Sequence, residues 1–262
     1  MESALDEIEF LALSQNRVDA LRYLAERPHS RRELVERTGA SQPTMGRILS
    51  DFEDRSWLVR EDGAYRATVT GELVSRGFDD LVDILDTDAK LRPVVEWLPT
   101  DAITFDLEHL TEATITTPSQ VRPNAPVKRA VSLLSEAEDV RIFSYAFNEQ
   151  NLDIVRERTA AGDQRFEGVF SSAAIDALAH DSHLREQLRD LLDTDAAAVR
   201  ITDEPIPMAA TIADSTVHLF LRDDSGILQA SIDVTEPEVL AWADKLFERY
   251  WEAAEPLDLD RL

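Results

Sequence analysis

Ser30 followed by Glu33 is a capping box, which predicts a helix opening at Arg31 and running to Thr38. Gly39 supplies the turn after it. Ser41 is a second N-cap, and Pro43 sits in a first helical turn, where its missing N–H costs nothing. Met45, Ile48, Leu49 and Phe52 then recur at i, i+3, i+4 and i+7, the stripe of an amphipathic helix facing a core. Trp57-Leu-Val-Arg60, an Asp62-Gly63 turn and Tyr65 to Val69 read as a two-stranded hairpin. Upstream, Val18, Leu21, Leu24 and Ala25 mark another helix, stopped before Pro28. Helix, turn, helix and hairpin in this order are the layout of a winged helix-turn-helix, whose second helix characteristically enters the major groove of DNA.

The outer face of that second helix carries Pro43, Arg47, Ser50 and Asp54, flanked by Thr44, Gly46 and Asp51. Its N-terminal half is free of acid; Asp51, Glu53 and Asp54 fill the C-terminal half. A recognition helix meets DNA by its N-terminal end, where the dipole favours phosphate. Arg47 is therefore the first candidate for a base or phosphate contact, followed by Gln42 and Thr44, with Ser41 and Pro43 at the same end. Arg60 and Arg66 of the wing and Arg31 and Arg32 of the preceding helix are candidates for flanking phosphates. For each arginine the alternative is a solvated side chain paired with a nearby glutamate.

Charge sharpens this reading. The chain has 52 acidic and 27 basic residues, a formal net charge of −25, which by itself opposes DNA binding. The excess is uneven: residues 1–70 hold 13 acids and 10 arginines, residues 71–262 hold 39 acids and 17 bases, and residues 31–66 hold 7 of each. The module expected to meet DNA has been spared. Only Lys90, Lys128 and Lys245 are lysine. Abundant carboxylates with almost no lysine suit a halophilic protein working in molar salt, where the Debye length falls to about 3 Å. No cysteine is present, so disulfides and thiolate chemistry are closed. No apolar run is long enough to span a membrane, and the N-terminus lacks signal-peptide character, so a cytoplasmic location is expected.

The rest of the chain predicts an α/β domain within an α+β whole. A helix over 71–90 is expected as a linker or dimerisation element between a winged-helix domain (1–70) and a mixed-sheet domain (91–262). In the latter, a strand at 113–117 precedes helix 127–137, strand 140–147, helix 149–161, strand 165–170, two short helices, strand 199–202, a meander over 208–234 and a last helix opened by Thr235 and Pro237. Ligands of such sheets sit beyond the carboxyl ends of strands, which nominates Ser144, Tyr145, Asn148, Ser171 and Ser172 for a neutral or sugar-like effector. Ordinary capping roles are the alternative for each.

The stretch from Ser30 to Val74 resembles the N-terminal winged helix of archaeal transcriptional regulators. The stretch from Ile206 to Leu257 looks like the end of the haloarchaeal family related to methanogenesis regulatory proteins. That resemblance implies a regulatory second domain, somewhat similar to the phospholipase-D-like effector domains of TrmB-type sugar regulators. Enzymes of that fold use His-x-Lys; none of His29, His109, His180, His183 or His218 is followed by lysine two residues later. No phosphate loop, dinucleotide fingerprint or nucleophile elbow occurs, and His180 with His183 lacks further ligands for a metal. The expectation is a non-enzyme without metal or cofactor: a homodimeric regulator whose partners are double-stranded DNA and a small-molecule effector. The rival is a protein–protein adaptor that docks through the winged helix.

Overall fold

The computed structural model describes residues 3–258, so the outermost limits of the expected domains lie outside the described residues. The chain forms two compact units, one ending at Asp86 and one beginning at Thr87. Among the described residues no helix is long and apolar enough to cross a membrane.

The first unit contains α1 (Ala4–Ala12), α2 (Gln15–Glu26), α3 (Arg31–Thr38), α4 (Gln42–Asp54), β1 (Leu58–Glu61), β2 (Ala64–Ala67) and most of α5 (Val69–Leu91). The capping box of α3 is formed as its sequence demands, with the Ser30 hydroxyl accepting from the Glu33 N–H and the Glu33 carboxylate accepting from the Ser30 N–H. Gly39 ends α3 at φ +71°, a left-handed conformation that costs glycine nothing. Asp62 and Gly63 both take positive φ, 51° and 83°, giving the mirror-image turn that matches strand twist and closes β1 on β2. His29 adds a short third rung by exchanging backbone hydrogen bonds with Tyr65 at 2.9 and 2.7 Å. The core gathers Leu21, Leu24, Leu34, Met45, Ile48, Leu49, Phe52 and Trp57.

One element went unread in the sequence. Ser3 and Asp6 form a capping box that opens α1, with the Ser3 N–H donating to the Asp6 carboxylate at 2.7 Å. Leu11 of this helix is buried, and Phe10 packs edge-on to Phe52 and Trp57.

The second unit starts with 3₁₀ turns at Val95–Trp97 and Leu107–Leu110. It continues through β3 (Thr114–Thr116), α6 (Ala125–Glu136), β4 (Asp139–Ser144), α7 (Glu149–Ala160), β5 (Arg165–Ser171), α8 (Ser172–Ala179), α9 (Ser182–Leu192) and β6 (Ala197–Thr202). It ends with β7 (Ala209–Ala213), β8 (Thr216–Arg222), β9 (Leu228–Val234), α10 (Pro237–Ala253) and β10 (Glu255–Pro256). The strands make one sheet in the order β10-β6-β5-β4-β7-β8-β9-β3. Its β4–β5–β6 block is parallel and its other pairings are antiparallel. The protein is thus α+β overall with a mixed sheet, as the alternation followed by a meander predicts.

Strand alternation splits the sheet's residues between two layers. Phe143, Val169, Leu219 and Ile232 pack with Val239, Ala243, Phe247 and Tyr250 of α10. Ile142, Phe166, Phe170 and Val199 pack with Leu152, Val155, Ile175, Leu188 and Leu191 of α7, α8 and α9. On β7 to β9 the residues of this second face turn polar: Thr211, His218, Ser231 and Asp233 are all buried. His218 Nδ1 lies 2.5 Å from Asp233 Oδ1, and Arg129 of α6 pairs with the other carboxylate oxygen. Burial pushes the Asp233 carboxyl upward, but the hydrogen bond and charge of His218, with those of Arg129, outweigh it and hold the group below its ordinary value.

Several expected boundaries shift: the second wing strand ends at Ala67 because α5 already begins at Val69, and two others move for visible local reasons. β4 ends at Ser144, not at Phe147, because the Ser144 hydroxyl donates to the Ala146 carbonyl and accepts from its N–H, turning the chain. The last helix is preceded by Glu236 rather than Thr235 at its N-cap position, and no side chain caps it there.

Candidate functional site

The N-terminal end of α4 is built by its cap. Ser41 Oγ accepts from the Thr44 N–H at 3.2 Å and lies 2.8 Å from Thr44 Oγ1. Met45, Ile48, Leu49 and Phe52 are buried, which turns Gln42, Pro43, Thr44 and Arg47 outward, all exposed. Among the described residues the Arg47 side chain makes no hydrogen bond, ion pair or ring contact. Arg31 behaves differently: its guanidinium donates to the Gln42 carbonyl and lies against Gly46, where a Cβ would come within 2.5 Å of Arg31 Nη2. The glycine therefore makes room for Arg31, a use the sequence reading did not assign to it.

The remaining candidates divide. Arg60 stacks its guanidinium over the Tyr65 ring at 5.4 Å, with no carboxylate partner among the described residues. Arg32 pairs with Glu36 at 2.9 Å and Arg66 with Glu61 at 4.0 Å, both in exposed positions; exposed pairs of this kind contribute about 0–1 kcal/mol and yield easily to a better anion. At the other end of α4, Asp51 lies 3.8 Å from Arg17, while Glu53 and Asp54 are exposed. The helix carries a free cation towards its N-terminus and free anions at its C-terminus.

In the second unit the five nominated residues do not form one group. Ser144 and Asn148 line a common pocket. Asn148 also caps α7, its Oδ1 accepting from the Asn151 N–H at 3.1 Å. Tyr145 packs instead with the core under α10. Ser171 caps α8, and Ser172 donates to Asp203 at 2.6 Å. The pocket also takes in Phe147, Asn151, Phe170, Thr211, Phe220 and Arg222, which the sequence reading missed. Alternation along β7 and β8 puts Thr211, Phe220 and Arg222 on one face, and that pattern was the available signal.

Of the two histidines set aside in the sequence as a metal pair, His180 Nδ1 faces the Asp176 carbonyl at 2.6 Å and His183 is exposed on α9. A different trio, His109, Glu236 and Glu238, brings donor atoms within 4.8 Å of one another.

The family model described as "Methanogenesis regulatory protein FilR1, middle domain" matches residues 123–253, half of the chain, from the end of the β3–α6 loop through α10. The chain belongs to the FilR1 family. A second model, the HVO_A0261 N-terminal domain, matches residues 5–90 ahead of the FilR1 region. No curated protein matches. Among solved structures, the FilR1-family chain is similar to TrmBL2, an archaeal chromatin protein, at 15% identity over 97% of this chain and 100% of that one, with a TM-score of 0.45. It is also similar to Nuc, a phospholipase D family member from Salmonella typhimurium, at 12% identity over 55% of this chain and 98% of Nuc, with a TM-score of 0.44.

Proposed function

We propose that this FilR1-family protein is a DNA-binding transcriptional regulator, acting as a homodimer in the cytoplasm of a halophile. In this reading the N-terminal end of α4 enters the major groove, and a small molecule bound to the second unit controls the complex. The observation that carries it is Arg47, exposed and unpaired beside a capped, acid-free helix end in a chain of net charge −25. A protein evolved only to stay soluble in salt has no reason to keep that end clear of carboxylates. Arg47, Gln42 and Thr44 face base edges; Arg31, Arg32, Arg60 and Arg66 meet flanking phosphates, and Ser41 and Pro43 shape the end they surround.

Dimerisation is supported by the apolar surface of α1 and α5. Ile8 and Leu73, 40% and 58% exposed, line one groove with Val74, Phe78 and Leu81, the kind of contiguous apolar surface that marks an interaction site. Two-fold symmetry would set two copies of α4 about one DNA turn apart on an inverted repeat.

Electrophoretic shift of promoter fragments in molar KCl tests the proposal. Retarded complexes that compete with specific and not with bulk DNA support it. A folded protein that shifts no fragment would leave the adaptor reading in its place.

A further inference from the structure

We infer that the second unit binds a small aryl carboxylate in the pocket between α7, α9 and the β4–β7–β8 part of the sheet. The inference rests on the regulator reading only in calling that ligand the effector; the pocket itself stands on its own geometry. Its wall is aromatic. Phe147 stacks on Phe170 with centroids 4.0 Å apart and planes 18° from parallel. Gly168 is what lets the wall close, since a Cβ there would lie 2.6 Å from the Phe170 ring and 3.0 Å from that of Phe166. The cavity is about 50 Å³ inside an envelope of about 600 Å³ that includes its open mouth. That space is smaller than the roughly 150 Å³ a benzene ring occupies in a cavity, so the proposal requires Phe147 to rotate off Phe170 as the ring enters.

The polar rim selects charge. Arg222 is half-buried, its Nη1 donates to the Gly226 carbonyl at 2.8 Å, and its Nε is buried without a partner. No carboxylate pairs with it among the described residues, and the pocket lining contains no acid in a chain with 52 of them. Thr211, 2% exposed, has an unpartnered buried Oγ1, and the Asn151 Oδ1 is likewise unpartnered. Buried donors and acceptors of this kind are rarely left unsatisfied. The neighbouring Asp223 does not fill the role, because its oxygens already accept from Ser225, Ile227 and Gln229 in the turn.

The geometry of the sheet puts the cationic group at the right edge. β8 and β4 both run antiparallel to β7, so Arg222 at the end of β8 and the N-terminus of α7 after β4 share the carboxyl edge of the parallel block. A carboxylate there meets a guanidinium N–H and the positive end of a 12-residue helix dipole. An aryl group behind it covers the phenylalanines. A neutral sugar hydroxyl can accept from that N–H but leaves the guanidinium charge unbalanced, which a carboxylate does not.

Benzoate and its neutral isostere benzamide discriminate. Calorimetric titration of the full chain at one fixed KCl concentration is expected to give benzoate binding at least tenfold tighter than benzamide. Arg222→Gln should weaken benzoate at least tenfold and leave benzamide unchanged. Asn151→Asp, which suits the first turn of α7, should do the same by adding a carboxylate at the rim. Equal affinities for the two compounds, or benzoate binding indifferent to both variants, would overturn the inference, as would no benzoate binding by the folded chain. Benzoate binding that obeys these rules without altering DNA retardation would support the pocket and remove its effector role.

Discussion

The two units use unpaired arginine in opposite directions. In the first, Arg47 stands exposed at the head of a helix, with 7 acids balanced by 7 bases across residues 31–66. In the second, where residues 71–262 carry 39 acids against 17 bases, Arg222 lines an apolar pocket that excludes every carboxylate. Acidification for solubility acts on whatever surface is free to accept it. The places it avoids are therefore informative, and on the proposals above the outward one meets a polyanion and the inward one a small anion.

The most forceful way to break the comparison is to unfold one partner in it. Phe52 is fully buried and touches both Phe10 and Trp57. Phe52→Ala should cost the first unit about 3–5 kcal/mol, a large part of the roughly 5–15 kcal/mol that holds a domain folded. If the units are energetically separate, a calorimetric scan would show only the first-unit transition lowered and benzoate would still bind. A fall in both transitions together would show that the contrast is drawn within a single cooperative body.

Arg47→Ala comes next. It should weaken binding to a specific site by about 1–3 kcal/mol if the side chain reads a base, and relax preference at one position. Arg32→Ala, which removes a side chain already paired with Glu36, should act less and equally on all sequences, lowering the salt slope instead. The reverse ranking would mean that exposure and pairing state are poor guides to this interface. Ser41→Ala is smaller again. It deletes the cap on the Thr44 N–H and should cost about 1 kcal/mol of first-unit stability, with DNA affinity falling only as far as the helix end frays.

Much of the first unit was legible because its signals are local. Ser30 with Glu33, Ser41 with Pro43, and Asp62-Gly63 each fix a few dihedrals within a few residues, and the structure carries out all three. Helix α1 escaped because its capping box uses Asp6 in place of the usual Glu or Gln, and because at nine residues it is too short to repeat its apolar stripe. In the second unit the alternation of strands and helices was readable, but the pocket was not. Ser144, Asn148, Thr211 and Arg222 come from β4, its following turn, β7 and β8, and they meet only through sheet order. Strand order β4-β7-β8 is not written in any local stretch. Choosing polar residues at strand ends found two of the lining residues and three ordinary capping or packing ones.

The smallest expected effect concerns pH and divides the units once more. His29 is fully buried in the first unit, with neither ring nitrogen partnered among the described residues and its ring edge-on to Tyr23 at 6.0 Å. Burial lowers its pKa first and Arg27 adds to the lowering, with Arg37 further on; Glu33 and Glu26 oppose them only in part. The folded unit therefore holds a neutral imidazole, while the unfolded chain protonates near pH 6.5. Below that pH the unfolded state binds more protons than the folded one, so stability falls as pH drops through the window beneath 6.5 and is level above it. Glu33, held below its ordinary value by the Ser30 hydrogen bonds, gives its own loss only at lower pH, as does Asp233 in the other unit. Urea midpoints at pH 7.5 and 5.5 thus isolate the histidine. His29→Phe keeps the ring contact and removes the titration, so its midpoint should be the same at both pH values while the parent's falls. A parent midpoint that holds steady, or a variant that falls alongside it, would show that the buried ring does not set the acid response of this unit.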